Sequence, residues 1–298
     1  MNTVIERMKS DVIKSPMVVV AGLILLATAM EGQRSRVKQE TGKGNLSEAI
    51  ELLERCVVPI IYVEVHQDQT HSLGGIEGTG FFVGKEGYFV TAGHVAQTVQ
   101  SKAVSPSRVD SALNATPKPA SVTTWGIVVP SAPSEHWLRG TESSQPVVRF
   151  NSQIIHVSEK YDLALCKTSI NPLQNQYTKN FAREVEFSDS VPPSGTPLGF
   201  VGFPLSIRSP ISGSGTVSAY LFVEELQNVV LLLHVTGWPG LSGSPVFTLD
   251  GKVVGVFTES GDMNSSGLSI ARPLASIRAL FDEAGVAFPQ GASARGER

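Results

Sequence analysis

Cysteine is almost missing from these 298 residues: only Cys56 and Cys166 are present. Two thiols at that distance make neither a metal cluster nor a dense disulfide framework, so the fold has to be held by its apolar core. They are expected to be separately buried thiols, with a single disulfide as the alternative. Concentrated charge is scarce as well. Lys and Arg number 24 against 27 Asp and Glu, for a formal net charge of −3, and no long basic block occurs. Such a field does not favour a phosphate backbone, and nucleic acid is not an expected partner. Neither a metal nor an organic cofactor is implied, and there is no internal repeat of the solenoid kind. The hydrophobic share of 41% is ample for a sizeable core.

Long apolar runs are also lacking, with one exception at Pro16 to Met30. As a helix this run spans roughly 22 Å, short of the hydrocarbon layer of about 30 Å. Arg7, Lys9 and Lys14 before it, and Ala27-Thr28-Ala29 near its end, are the marks of an export signal. Glu6 and Asp11 dilute the basic flank, and Arg34, Arg36 and Lys38 just beyond oppose translocation. Three readings stay open: a cleaved signal, an uncleaved anchor and an ordinary buried helix. The first two give an exported protein, periplasmic or extracellular, or one tethered to a membrane through residues 16–30.

What is present in quantity is short β-branched and aromatic runs separated by Gly, Pro, Asn and Ser. They lie at Ile60 to Val65, Thr79 to Val83, Tyr88 to Thr91, Thr124 to Val129, Val147 to Phe150 and Leu163 to Cys166. They continue at Leu198 to Gly202, Gly215 to Phe222, Val229 to Val235, Val246 to Thr248 and Lys252 to Phe257. This spacing predicts an all-β chain of antiparallel barrels or sandwiches rather than βαβ units. Asn45 with Glu48 predicts the capped start of a short helix that Pro59 stops. Pro273, Leu274, Ile277, Phe281 and Gly285 predict a C-terminal helix. Gln97 to Ser121 and Ser131 to Gln145 read as surface loops, and the end of the chain as a polar tail.

A serine hydroxyl is a weak nucleophile at neutral pH, so it needs a base, and the base needs a partner that fixes its tautomer. His94 follows an apolar strand in Thr91-Ala92-Gly93-His94-Val95, where small neighbours leave room for a second segment. His66, His71, His136 and His156 read as surface residues, and His234 as a packed or pocket-lining one. Asp162 stands directly against the apolar run Leu163 to Cys166, where an imidazole N–H would satisfy it. In Gly240-Leu241-Ser242-Gly243-Ser244-Pro245, the N–H groups of Gly240 and Ser242 can point into one cavity for a carbonyl oxygen that becomes an anion. Ser244 precedes Pro245 and reads as a packing residue. Taken singly, each of these has a plainer reading: a histidine ending a strand, an aspartate in a turn, a Gly/Ser bend. Together they run His, Asp, Ser along an all-β chain, which is neither the α/β-hydrolase nor the subtilisin order.

The segments Gly78-Thr79-Gly80-Phe81-Phe82-Val83, Gly87 to Val95, Asp162-Leu163-Ala164-Leu165 and Gly240 to Val246 resemble the chymotrypsin-fold serine peptidases. The likeness is to the bacterial trypsin-like branch with HtrA-type proteases and glutamyl endopeptidases, here without a PDZ module. It implies two six-stranded antiparallel barrels with a short C-terminal helix. With the segments read above, the division is 1–30 signal or anchor, 31–56 linker and short helix, 57–178 first barrel, 179–288 second barrel and helix, and 289–298 tail. The likeness also implies Ser242 as nucleophile, His94 as general base, Asp162 as its orienter, and Gly240 and Ser242 N–H groups as the oxyanion hole. Thr236, Gly237, Ser269 and Ala271 would shape the pocket for the residue before the scissile bond. Thr236 stands where trypsins carry an acid, so Arg or Lys is not the expected preference. A small or medium apolar residue is expected, and a Glu preference through His234 or Thr236 stays open. The expected activity is a serine endopeptidase acting on protein or peptide substrates. The alternatives are a catalytically inactive scaffold of the same fold and an esterase using the same trio.

Overall fold

In the computed structural model, which describes residues 44–131, 147–224, 227–258 and 267–289, the short apolar runs become strands of two antiparallel sheets. The first sheet contains β1 (Val57–His66), β2 (His71–Val83), β3 (Tyr88–Ala92), β4 (Ser121–Pro130), β5 (Val147–Ser158) and β6 (Leu163–Thr168). They form a closed barrel in the order β1-β2-β3-β6-β5-β4, which the β1–β4 pairing closes. Val58, Ile60, Phe82, Phe89, Ile127, Phe150 and Cys166 make its core. A fully buried phenylalanine of this kind contributes about 1.5–3 kcal/mol relative to an exposed one.

The second sheet contains β7 (Glu186–Phe187), β8 (Pro197–Gly202), β9 (Ile211–Val223), β10 (Asn228–His234), β11 (Pro245–Thr248), β12 (Lys252–Thr258) and β13 (Leu268–Pro273). Its order is β11-β8-β9-β10-β13-β12-β7, and β11 also pairs with β12. Six strands therefore close on themselves, and the two-residue β7 adds a parallel flank to β12. Leu198, Phe200, Leu231, Leu233, Val246 and Phe257 fill this core. A third apolar layer joins the sheets through Phe81, Val90, Leu163, Leu165, Phe203, Phe247 and Val256. Two helices, α1 (Leu46–Glu54) and α4 (Leu274–Glu283), add Leu53, Ile277, Leu280 and Phe281 to that layer.

Local chemistry explains the helix ends. The Asn45 side chain accepts the Ser47 N–H and caps α1, while its amide reaches Glu48. Gly285 leaves α4 at φ 65°, a left-handed stop. Pro59 does not end the first helix, which stops at Glu54; it sits inside β1 opposite Thr79. Pairing of β1 with β4 begins only at Ile60, so the missing N–H of Pro59 lies on a side where no ladder bond is needed.

The segment read as a loop from Gln97 to Ser121 is more structured than expected. It continues α2 (Gly93–Lys102) and adds α3 (Val109–Leu113). Val95, Ala96 and Val99 recur on one face of α2 and bury against the first barrel. Val109, Ala112 and Leu113 cover Val65 and Val122. A helical period hidden among Ser, Pro and Ala was the signal missed. Both cysteines are free and buried, Cys56 in the layer between the sheets and Cys166 in the first barrel. The apolar run at residues 16–30, residues 132–145 with His136, read from the sequence as a loop, and the residues from 290 on, read as a tail, lie outside the described residues. The described residues all belong to the unit Gly44–Arg298, and none of their helices is long and apolar enough to cross a membrane.

Candidate active site

Strand β3 delivers the chain to α2, and Ala92, paired with Leu163 across β6, has no side chain that can cap a helix. The cap comes from across the sheet. Gly93 N–H donates to the Asp162 carbonyl at 2.9 Å, and His94 N–H donates to Asp162 Oδ1 at 2.8 Å. Two of the orphan donors of the first turn are thus satisfied by one acidic residue at the positive end of the helix. The other carboxylate oxygen, Oδ2, takes the Nδ1–H of His94 at 2.9 Å. This bond leaves Nε2 as the basic nitrogen of the neutral ring. Asp162 holds the arrangement with a left-handed backbone, φ 48°, at a cost of about 1–2 kcal/mol. The side chains of His94 and Asp162 are 40% and 27% exposed, so the pair is partly open to solvent.

The segment with Ser242 lies against the same helix start. A Cβ placed on Gly78 would stand 2.8 Å from Val95 Cγ2 and 3.1 Å from the Ser242 carbonyl oxygen. Thr79, fully buried in β2, ties the two barrels here. Its N–H donates to Ser242 O at 3.0 Å, its hydroxyl donates to Gly240 O at 2.9 Å, and Thr79 Oγ1 itself accepts the Phe203 N–H at 2.9 Å. Gly243, at φ 89°, passes so close that a Cβ would stand 2.0 Å from Thr79 O and 2.5 Å from Thr91 Oγ1. Only glycine fits there.

Three N–H groups of this loop are committed: Leu241 to Trp238 O, Gly243 to Phe257 O and Ser244 to Leu241 O. Those of Gly240 and Ser242 donate to no backbone carbonyl among the described residues. The peptide before Gly240 is oriented from outside. Pro239 O accepts the Leu205 N–H at 2.7 Å. A trans peptide sets its N–H opposite its carbonyl, so the Gly240 N–H points away from the turn that carries Leu205. That turn is strained, with Leu205 at φ 54° and Ser206 at φ 57°. Leu205 and Trp238 stand 59% and 45% exposed beside the loop.

The pocket residues are placed unevenly. Thr236 is exposed, whereas Gly237, Ser269 and Ala271 are buried. Ser269 donates its hydroxyl to Val235 O at 2.8 Å. A Cβ on Gly237 would stand 3.0 Å from both Phe257 Cε1 and Ser269 Oγ, so the space beside Gly237 is already filled by an aromatic ring. His234, read as a packed or pocket-lining residue, is exposed at the end of β10 opposite Thr216 and Leu268. Ser244 is fully buried, its hydroxyl unpaired and packed against Gly202.

Three groups near the site were not singled out by the sequence. Thr79 is a buried hydroxyl inside an apolar strand, and that contrast was the available signal. The Leu205 turn left no sequence mark, since leucine and serine do not announce left-handed backbone. Arg272, between Ala271 and Pro273, is buried near Asp162; burial pulls its guanidinium below the ordinary range, and the Asp162 charge opposes this. Among the described residues no group of three His, Cys, Asp or Glu side chains could hold a metal ion.

Comparison with known proteins adds to this geometry. A family model described as the trypsin-like peptidase domain matches residues 78–256. The fold is similar to the crystal structure of the Rv3671c protease from M. tuberculosis in its active form. That match has TM-score 0.51 and 13% identity and covers 82% of this chain and 86% of that one. The inactive form of the same protease matches with TM-score 0.49 and 12% identity, covering 80% and 93%. At such identity the likeness concerns the fold alone. No curated protein sequence matches the chain.

Proposed function

Because the chain belongs to the trypsin-like peptidase family, we propose that it is a serine endopeptidase with Ser242 as nucleophile, His94 as general base and then acid, and Asp162 as orienter. Its two sheets form the chymotrypsin-like fold, and the family acts on peptide or protein substrates. The observation that carries the reading is the double hold of Asp162 on His94, through the backbone N–H at 2.8 Å and Nδ1 at 2.9 Å.

In this reading, Ser242 Oγ attacks the scissile carbonyl while its proton passes to His94 Nε2. The carbonyl oxygen becomes an anion and meets the uncommitted N–H groups of Gly240 and Ser242, each worth about 2.7–4 kcal/mol in such a role. His94 then gives its proton to the leaving amine, and the C–N bond breaks to leave an ester on Ser242. Water adds to that ester, its proton passing to His94, and Ser242 takes the proton back as the acid product leaves. Asp162 stays ionised throughout and stabilises the imidazolium formed in each half.

The residue before the scissile bond is small or medium and apolar in this proposal. The close approach of Phe257 and Ser269 to Gly237 supports a short side chain there. Export or tethering through residues 16–30 belongs to the same proposal, and N-terminal sequencing of the mature protein decides between its forms.

A fluorophosphonate probe tests the nucleophile. Wild type and Ser244→Ala are expected to label, and Ser242→Ala and His94→Ala are not. Labelling that persists in Ser242→Ala would overturn the assignment, and a wild type that stays unlabelled would point to a scaffold without catalytic function.

A further inference from the structure

Arg272 lies on β13 and is only 7% exposed. Its neighbour Ala271 faces the core of the second barrel, so strand alternation turns Arg272 to the opposite face. Its cross-strand partner there is Val256, which packs with Val90, Leu163 and Leu165 of the first barrel. The Arg272 side chain therefore leaves β13 on the face turned to the layer between the barrels, which Leu163, the residue after Asp162, also enters. Its Nε and Nη1 are shut off from solvent and have no hydrogen-bond partner. Leaving buried donors of a cation unpaired is unfavourable, and a methionine or leucine would fill the same space without that cost. A guanidinium nonetheless remains charged at any working pH, and the charge that bears on it is Asp162. Both oxygens of Asp162 are already engaged by His94, so the cation acts on the pair through space.

We propose that Arg272 is a positioning residue: a fixed buried cation behind the Asp162–His94 pair that keeps His94 in its basic form at more acidic pH than the pair alone would allow. This rests on the catalytic reading given above. The carboxylate favours a protonated imidazole and the nearby cation disfavours it, so their balance sets the acid limit of the reaction.

Other charges on neighbouring elements are engaged elsewhere or distant along their strands. His156 and Glu283 pair at 3.2 Å. Arg278 stacks on Phe288, Lys160 on Tyr161, and Lys167 on Tyr88 with Glu86 beyond it. Asp282 is exposed on α4, Lys252 opens β12 four residues before Val256, and His234 pairs with Leu268, four residues before Arg272.

The test is the rate of fluorophosphonate inactivation as a function of pH, which needs no known substrate. Arg272→Met is expected to move the midpoint of the acid limb up by about one pH unit, and Arg272→Lys to keep the wild-type midpoint. The readout is the midpoint, since a purely structural role would lower the plateau and leave the midpoint in place. A Met variant that labels with an unchanged midpoint overturns the inference; a wild type that does not label overturns the catalytic reading instead. Arg272→Gln replaces the Met variant if that one fails to fold. Should neither neutral variant fold, the wild-type His94 ring is titrated by NMR. A histidine bonded to a carboxylate with no cation behind it titrates above about 6.5, so a midpoint above that value overturns the inference and one at or below it supports it.

Discussion

The Thr79 hydroxyl donates to the Gly240 carbonyl at 2.9 Å, joining residues 161 positions apart. With its N–H on Ser242 O and its oxygen taking the Phe203 N–H, Thr79 fixes the second-barrel loop against the first barrel. The shape of the loop that presents Ser242 is thus set largely by a residue of β2.

Thr79→Val keeps the volume and removes the hydroxyl that donates to the Gly240 carbonyl and accepts from the Phe203 N–H; losing the donor to the Gly240 carbonyl alone costs about 1–3 kcal/mol. The expected outcome is a fall in kcat/KM of roughly 10- to 100-fold carried mostly by kcat, because the loop and not the substrate contact is disturbed. Thr79→Ser should recover most of it. Steady-state kinetics on a cleaved peptide makes the check.

Asp162→Asn keeps an oxygen for the His94 N–H but sets an amide N–H against Nδ1–H, so the ring takes the wrong tautomer. A loss of kcat of about 10³- to 10⁴-fold is expected. Stability should fall as well, because Arg272 loses the anion near it. Fluorophosphonate labelling rate and a urea melt measure the two effects separately.

Gly243→Ala places a Cβ 2.0 Å from Thr79 O at a backbone φ of 89°. Clash and strain together are expected to lower stability by on the order of 3 kcal/mol. An unchanged urea midpoint would contradict the placement of this loop.

Much of this was legible in the chain. The spacing of β-branched runs gave the strands, and His94, Asp162 and Gly240 to Ser244 stood out because their chemistry conflicts with their local surroundings. A carboxylate against an apolar strand is such a conflict, and it is resolved by the His94 N–H and ring. What stayed hidden depends on contacts between distant segments. Nothing local to Thr79 says that it will meet Gly240, and nothing in Leu205 or Ser206 says that the backbone will turn left-handed. The helical period of α3 is short and set among Ser, Pro and Ala, and its burial against Val65 and Val122 exists only in the folded barrel.

The two cysteines allow a test of the core. Burial pushes the Cys56 thiol up to about 12 and raises that of Cys166 as well. Reactivity needs the thiolate, so a disulfide exchange reagent is expected to modify neither in the native protein and both after unfolding. The raised values also set a sign. An unfolded chain releases its thiol protons above about pH 9 while the folded chain keeps them, so stability is full below that pH and falls as pH rises. The fall is about 1.4 kcal/mol per pH unit for each thiol until the folded group itself ionises. Comparing urea melts of wild type and a Cys56→Ala, Cys166→Ala double variant between pH 8 and 10 (about the window set by the thiols) isolates this slope.

One carboxylate both caps α2 and aims the imidazole. Displacement of that carboxylate consequently breaks both bonds at once, so fraying of the first turn and release of the ring are coupled. Amide exchange at residue 94 becomes a substrate-free gauge of how often the carboxylate leaves its place.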